Sequence, residues 1–259
     1  MFNRVRLKTE DEIELIKESS LLVGKTLAEV AKAIKPGVPL IYLDKIGEEF
    51  IRDHHAVPSF KGYNGFPASL CLSVNDVVVH GIPNSRVLEE GDILSVDCGV
   101  YKNGFHGDYA YTFAVGEISQ EKKFLMERTK ESLYKAIQVA VKGNTIGDIG
   151  HTVQSYVEKF GYGVVRELCG HGIGRNLHEK PDVPNYGKPK SKEVLMEGMV
   201  ICIEPMITNR SPKVYVEKDN WTIRTLDGQP AAHYEHQIAI TKNGTEVLST
   251  YEYLEEVIK

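Results

Sequence analysis

The chain faintly repeats itself, and that repeat limits its possible folds more than any other feature. Gly37, Leu40, Leu43, Phe50 and Ile51 are echoed 106 positions later by Gly143, Ile146, Ile149, Tyr156 and Val157. Leu88-Glu-Glu-Gly91 is echoed 107 positions later by Leu195-Met-Glu-Gly198. Six residues beyond each of these last glycines stands a carboxylate, Asp97 and Glu204. His80-Gly-Ile and His171-Gly-Ile form a third echo at a different offset, 91. Amphipathic segments can match by chance, but here two nearly equal offsets would have to coincide. The other reading is two similar halves, about 9–115 and 120–248, each packing two helices on a mostly antiparallel sheet. That is an α+β fold with a pseudo-two-fold axis, and the cleft between matched halves is a natural place for a site.

The local patterns follow this plan. Thr9-x-x-Glu12 is a capping-box signature and Pro36-Gly37 a stop, so a long helix is predicted from Thr9 to Lys35. Its apolar stripe is Ile13, Ile16, Leu21, Val23, Leu27 and Val30. A second helix is predicted over 40–53, with Leu43, Ile46, Phe50 and Ile51 inward. Residues 57–80 read as irregular. Strands are predicted over 92–100 and 105–115, joined by the hairpin signal Asn103-Gly104. Helices follow over 120–142 and 146–159. Strand-like runs return at 162–168, 199–207, 213–217, 221–226 and 231–241, and Asn243-Gly244 turns into 245–248. No linker divides the sequence, so 1–259 reads as a single domain.

Acids are rare inside strands because burying their charge is costly. This chain places four there. Asp97 lies in Ile93-Leu-Ser-Val-Asp-Cys-Gly-Val and Asp108 in Gly107-Asp-Tyr-Ala-Tyr-Thr-Phe, on the two arms of the predicted hairpin. Glu204 ends Val200-Ile-Cys-Ile-Glu, and Glu235 lies in His233-Tyr-Glu-His-Gln-Ile. One such acid is ordinarily an exposed edge residue. Four at repeat-related places need a cation or a proton between them. No Lys or Arg falls inside the four strand segments that carry these acids, which makes metal ions the better candidate. Carboxylates suit hard or borderline divalent ions, and one imidazole shifts the preference toward Mn, Fe(II), Co or Zn. The best imidazole is His171, in Cys169-Gly-His-Gly-Ile-Gly-Arg, where glycines allow close backbone approach. His178 and His80 are either substrate contacts or ordinary loop histidines. His54, His55, His106, His151, His233 and His236 read as structural or solvated.

Several function classes are excluded. A net charge of -5 argues against general nucleic-acid binding, and no apolar run is long enough for a membrane span. The charged N-terminus lacks a secretory h-region, which points to the cytosol. Cys71, Cys98, Cys169 and Cys202 form no C-x-x-C pair, and free thiols are expected. There is no H-E-x-x-H, G-x-S-x-G or Walker A motif.

Taken together, Ser73-Val-Asn-Asp-Val-Val-Val-His-Gly-Ile-Pro, Asp97 with Asp108, Gly170-His-Gly-Ile-Gly-Arg, Ile203-Glu-Pro and Tyr234-Glu-His-Gln resemble type I methionine aminopeptidases. The resemblance runs from about residue 8 to 249. It implies the pita-bread fold and a cytoplasmic enzyme that removes initiator methionine when the second residue is small. It implies two divalent ions, drawn from Co, Mn, Fe(II), Zn or Ni. Asp97 would hold one, His171 with Glu204 the other, and Asp108 and Glu235 both. A water activated between the ions would attack the first peptide bond, with Glu204 shuttling a proton. His178 would bond the scissile carbonyl and His80 the substrate near the scissile amide. The methionine pocket would be lined by Phe60, Tyr63, Phe66, Cys71, Leu177 and Trp221. Leu177 stands where many relatives have Phe, and Phe66 lacks a phenolic hydroxyl that relatives often have.

The nearest alternative is an Xaa-Pro aminopeptidase or prolidase, whose relatives usually carry a large N-terminal domain. The other is a non-catalytic binding module on the same fold, which typically lacks ligands. The resemblance also implies nascent-chain substrates, a monomer, and docking near the ribosomal exit tunnel, to which the basic loop Lys188-Pro-Lys-Ser-Lys192 could contribute. Phe2 is large, so the protein is expected to keep its own Met1.

Overall fold

A computed structural model describes residues 4–258; Met1 and Phe2, on which the expectation of a kept Met1 rests, lie outside them. Helix α1 spans Glu10–Ala31. Both capping-box bonds form: Glu12 N donates to Thr9 Oγ1 at 3.2 Å, and Thr9 N to Glu12 Oε2 at 3.1 Å. The helix stops short of Lys35 because the chain tightens into three-residue turns, Ala33 N to Val30 O and Ile34 N to Ala31 O. Leu22, rather than Leu21, faces the core together with Ile16, Val23, Leu27 and Val30. Each such fully buried aliphatic side chain contributes about 1.5–3 kcal/mol. Helix α2, Leu40–Asp53, has the predicted bounds.

The two strands Ile93–Lys102 and Phe105–Ala114 form one long hairpin. Asn103 and Gly104 both take positive φ, 52° and 86°, which the tight turn requires. Asp97 pairs with Ala110 and Gly99 with Asp108, so the two acids are diagonal neighbours on one face. Helix α1 packs on this hairpin so closely that a Cβ on Gly107 would lie 2.3 Å from Ser20 N.

Residues 57–80 are not irregular, contrary to the sequence reading. Val57–Pro58 and Leu70–Val74 pair with Ile93–Lys102, and Val77–Val79 joins Ile223–Thr225 and Val214–Val216 in a three-stranded sheet. All five residues of Leu70–Val74 are buried, so the strand has no polar face to alternate.

Helices α3 (Gln120–Val139) and α4 (Ile146–Val157) open the second half. A five-stranded antiparallel sheet follows, in the order Gly244–Val247, His236–Thr241, Val200–Ile203, Gly170–Gly172, Glu179–Val183. Its last two strands were not expected. The expected run 162–168 shrinks to Gly163–Val164. The expected runs 199–207 and 231–241 each break in two. Val200–Ile203 pairs with His236–Thr241, whereas Met206–Thr208 pairs with Ala231–His233 in another sheet. Glu204 and Glu235 stand at these two breaks, where the chain changes sheets.

The backbone repeats where the sequence does. Gly37 N donates to Leu88 O at 2.8 Å, and Gly143 N to Leu195 O at 3.0 Å. Leu40 N donates to Arg86 O, and Ile146 N to Glu193 O, both at 2.9 Å. Gly37 and Gly143 have φ of 90° and 93°, a region open to glycine. One continuous core runs through both halves, from Leu22 and Val23 to Ile238 and Leu254. No helix among the described residues is long and apolar enough to cross a membrane. All four cysteines are free.

Candidate metal centre

Five side chains converge where the hairpin of the first half meets the sheets of the second. Asp97 and Asp108 come from the hairpin, His171 from Gly170–Gly172, and Glu204 and Glu235 from the two sheet breaks. Hydrogen bonds lock the halves together here. Glu235 N donates to Ala110 O at 3.1 Å, and Asp108 N to Gln237 Oε1 at 3.1 Å. The strand bearing His171 lies tight against its neighbour; a Cβ on Gly170 would be 2.3 Å from Cys202 O.

One oxygen each of Asp97, Asp108 and Glu235 lie within 4.8 Å of one another. His171 Nδ1 is 3.0 Å from Gly172 O, which fixes that nitrogen as the donor. Its Nε2 is then a lone-pair donor aimed at the acids, 3.7 Å from Glu204 Oε1 and 3.8 Å from Asp108 Oδ2. Burial pushes the carboxyls of Asp108, Glu204 and Glu235 well above the usual carboxylate range, and their mutual repulsion adds to it. Asp97 is raised for the same first reason. Burial drives His171 down to about 3, so it is neutral.

This donor set fits divalent ions. Asp97 Oδ1, Asp108 Oδ1 and Glu235 Oε1 are buried and, among the described residues, have no hydrogen-bond partner. Buried oxygens are rarely left so. Among the described residues, no Lys or Arg lines the cavity that could neutralise them. Four oxygen donors and one imidazole are the ligand chemistry of borderline divalent metals.

The acids form the floor of a cavity of about 290 Å³. Its apolar wall is Phe60, Phe66, Cys71, Leu177 and Trp221, with Phe66 and Trp221 edge to face at 5.2 Å. Cys71 is paired with Asp97 across adjacent strands, so wall and floor are joined by one sheet. Tyr63 and His178 stand at the rim, with the hydroxyl 2.8 Å from His178 Nδ1. His80 lies beside Trp221, and burial pushes its pKa down to about 4. Every residue singled out from the sequence thus borders this one cavity. Asn64 also lines it and had no sequence signal. His233 was read as structural, yet its ring faces Glu204 and Glu235. A larger groove, about 570 Å³, lies beside Lys8, Glu10 and Lys242 and gathers no such acid–imidazole set.

Paired helices on antiparallel sheets, closed over a buried carboxylate–imidazole cluster, are the frame of a metallopeptidase. The profile of metallopeptidase family M24 matches residues 14–242, and the chain belongs to that family. A methionine aminopeptidase of Clostridium acetobutylicum is 52% identical over 247 residues, covering 95% of this chain and 99% of that protein. The crystal structure of methionine aminopeptidase from Thermotoga maritima superposes with a TM-score of 0.93 at 43% identity, covering 95% of this chain and 100% of that one. A prolidase from Pyrococcus furiosus shares the fold at a TM-score of 0.78 and 25% identity, covering 95% of this chain but 66% of its own. The pita-bread fold is therefore that of the chain.

Proposed function

We infer that this protein is a methionine aminopeptidase that removes the N-terminal methionine of proteins. The observation that carries this reading is the joining of a thioether-sized apolar wall to the acid–imidazole floor. The methionine side chain packs on Phe60, Phe66, Leu177 and Trp221, with the soft Cys71 sulfur beside its thioether. Asp97, Asp108, His171, Glu204 and Glu235 would hold the divalent ions. Bound there, the ions would supply Lewis-acid polarisation of the carbonyl and a lowered pKa for the attacking water.

The protein groups do the rest. Tyr63 donates its hydroxyl proton to His178 Nδ1, which leaves Nε2–H to donate to the scissile carbonyl oxygen and to the oxyanion that develops. Neutral His80 contacts the scissile amide. Glu204 takes the proton of the attacking water and passes it to the leaving amide nitrogen. The cavity holds one side chain closely, which favours a small second residue. The two helix-on-sheet halves act as one catalytic domain, because neither alone carries all five ligands. The enzyme works as a monomer in the cytosol on nascent chains. Lys188, Lys190 and Lys192 are all exposed, which supports this loop as the contact to ribosomal RNA near the exit tunnel.

The test is to strip the protein of metal and assay Met-Ala-Ser against a matched Xaa-Pro peptide with Mn, Fe(II), Co, Zn or Ni restored. Release of Met, lost in His171→Ala, is the expected outcome. Preference for the Xaa-Pro peptide would transfer the assignment to the proline-specific enzymes. A folded protein inactive with every metal would make it a binding module.

A further inference from the structure

His233 ends the short strand Ala231–His233, two residues before Glu235, and only 1% of it is exposed. Its backbone is held firmly. His233 N donates to Thr112 Oγ1 at 3.0 Å, and the Thr112 hydroxyl donates back to His233 O at 2.7 Å. Among the described residues its ring has no hydrogen bond: neither Nδ1 nor Nε2 has a partner. A neutral imidazole carries one donor and one acceptor nitrogen, and leaving both buried without a partner is costly.

The orientation of the ring suggests what is missing. Nε2 lies 3.6 Å from Glu204 Oε2 and 3.9 Å from Glu235 Oε2. These separations are too long for hydrogen bonds. They do match atoms that share one ion, because metal bonds of about 2.1 Å place neighbouring ligand atoms about 3–4 Å apart. Glu204 stands between two imidazoles, with Oε1 3.7 Å from His171 Nε2 and Oε2 facing His233. One ligand atom each of Glu204, His233 and Glu235 lie within 4.8 Å of one another.

We propose that His233 is a sixth protein ligand of the metal centre, sharing one divalent ion with Glu204 and Glu235. This rests on the reading of the carboxylate cluster as a metal centre. A second imidazole raises the nitrogen content of the donor set, so it favours Co, Ni and Zn over Mn and Mg. His233 thereby tunes which ion the centre keeps.

The test uses the loaded, full-length protein. With histidine labelled in ¹⁵N, addition of Zn to the metal-free wild type is expected to move the Nε2 resonances of both His171 and His233 to coordinated positions. In the Co(II) protein, two sets of paramagnetically shifted imidazole signals are expected. His233→Gln should remove one set and His171→Ala the other. By calorimetry, His233→Gln should weaken Co or Zn binding by roughly 10–100-fold and change Mn binding far less. A His233 Nε2 that does not respond to Zn in the wild type would overturn the proposal, with no variant needed. Unchanged Co signals and Co affinity in a folded His233→Gln would overturn it too. If His171 were equally silent, the metal-centre reading itself would fall, and the two failures are thereby told apart.

Discussion

At the scale of single residues, the segment that carries His178 is pinned by one buried ion pair. Lys8 Nζ lies 2.7 Å from Glu179 Oε2, and the two side chains are 5% and 4% exposed. Lys8 also donates to Arg6 O at 2.9 Å, and Glu179 Oε1 accepts from Asn176 N at 3.2 Å. Removing Lys8 leaves Glu179 buried with only the exposed Arg6, 3.8 Å from Oε1, opposite it, which costs about 3 kcal/mol. Lys8→Met should therefore lose roughly 3 kcal/mol in urea denaturation and lower kcat/KM by loosening His178. A variant as stable and active as the parent would mean that water reaches Glu179. The four acids of the candidate site were legible because acids inside apolar strands are chemically out of place, whereas its apolar wall came only from the family resemblance. His233 was not, because one histidine among neighbouring Tyr, Glu and His looks like any half-polar strand residue. Only its unpartnered ring nitrogens set it apart, and those are a property of packing.

At the scale of elements, the caps place the helices that frame the site. Thr145 opens α4 with a full capping box: Asp148 N donates to Thr145 Oγ1 at 3.3 Å, and Thr145 N to Asp148 Oδ2 at 2.8 Å. The same Asp148 accepts from Lys190 N at 3.0 Å, tying the basic loop to the helix start. Thr145→Ala should cost about 1 kcal/mol and lower the melting temperature by about 2–4 °C. An unchanged melt would show that the loop alone fixes this end. Helices with such caps and the Asn103-Gly104 hairpin were readable within a few residues. The short strands between 57 and 80 were not, because burial on both faces removes the alternation that marks a strand. The Gly170–Gly172 strand carries two glycines and has almost no side-chain pattern to read. The break at Glu204 was hidden because apolar residues continue on both sides of it, and the one at Glu235 because no Gly, Pro, Asn or Asp stands beside it.

At the scale of the whole molecule, the carboxylate cluster couples metal, pH and stability. Without metal, the folded-state pKa values of Asp97, Asp108, Glu204 and Glu235 lie above the unfolded value of about 4. Stability from these acids is therefore present at low pH and is lost as pH rises through their folded pKa values. Metal binding must expel the protons they hold, whereas His171, lowered to about 3, has none to give up above pH 5. The gain in melting temperature on adding Co or Mn should thus be small at pH 5.5 and grow toward pH 7.5. A gain that shrinks as pH rises would contradict proton-linked binding by these acids. The split of the cluster across the chain also has a consequence for its birth. Asp97 and Asp108 are synthesised early, but Glu235 follows 127 residues after Asp108, and the strand His236–Thr241 that pairs beside it comes later still. Translation is vectorial, so the first two acids wait while His171, then Glu204, then Glu235 are added. Competence waits for the segment from Glu235 through Thr241, the final piece to join the cluster.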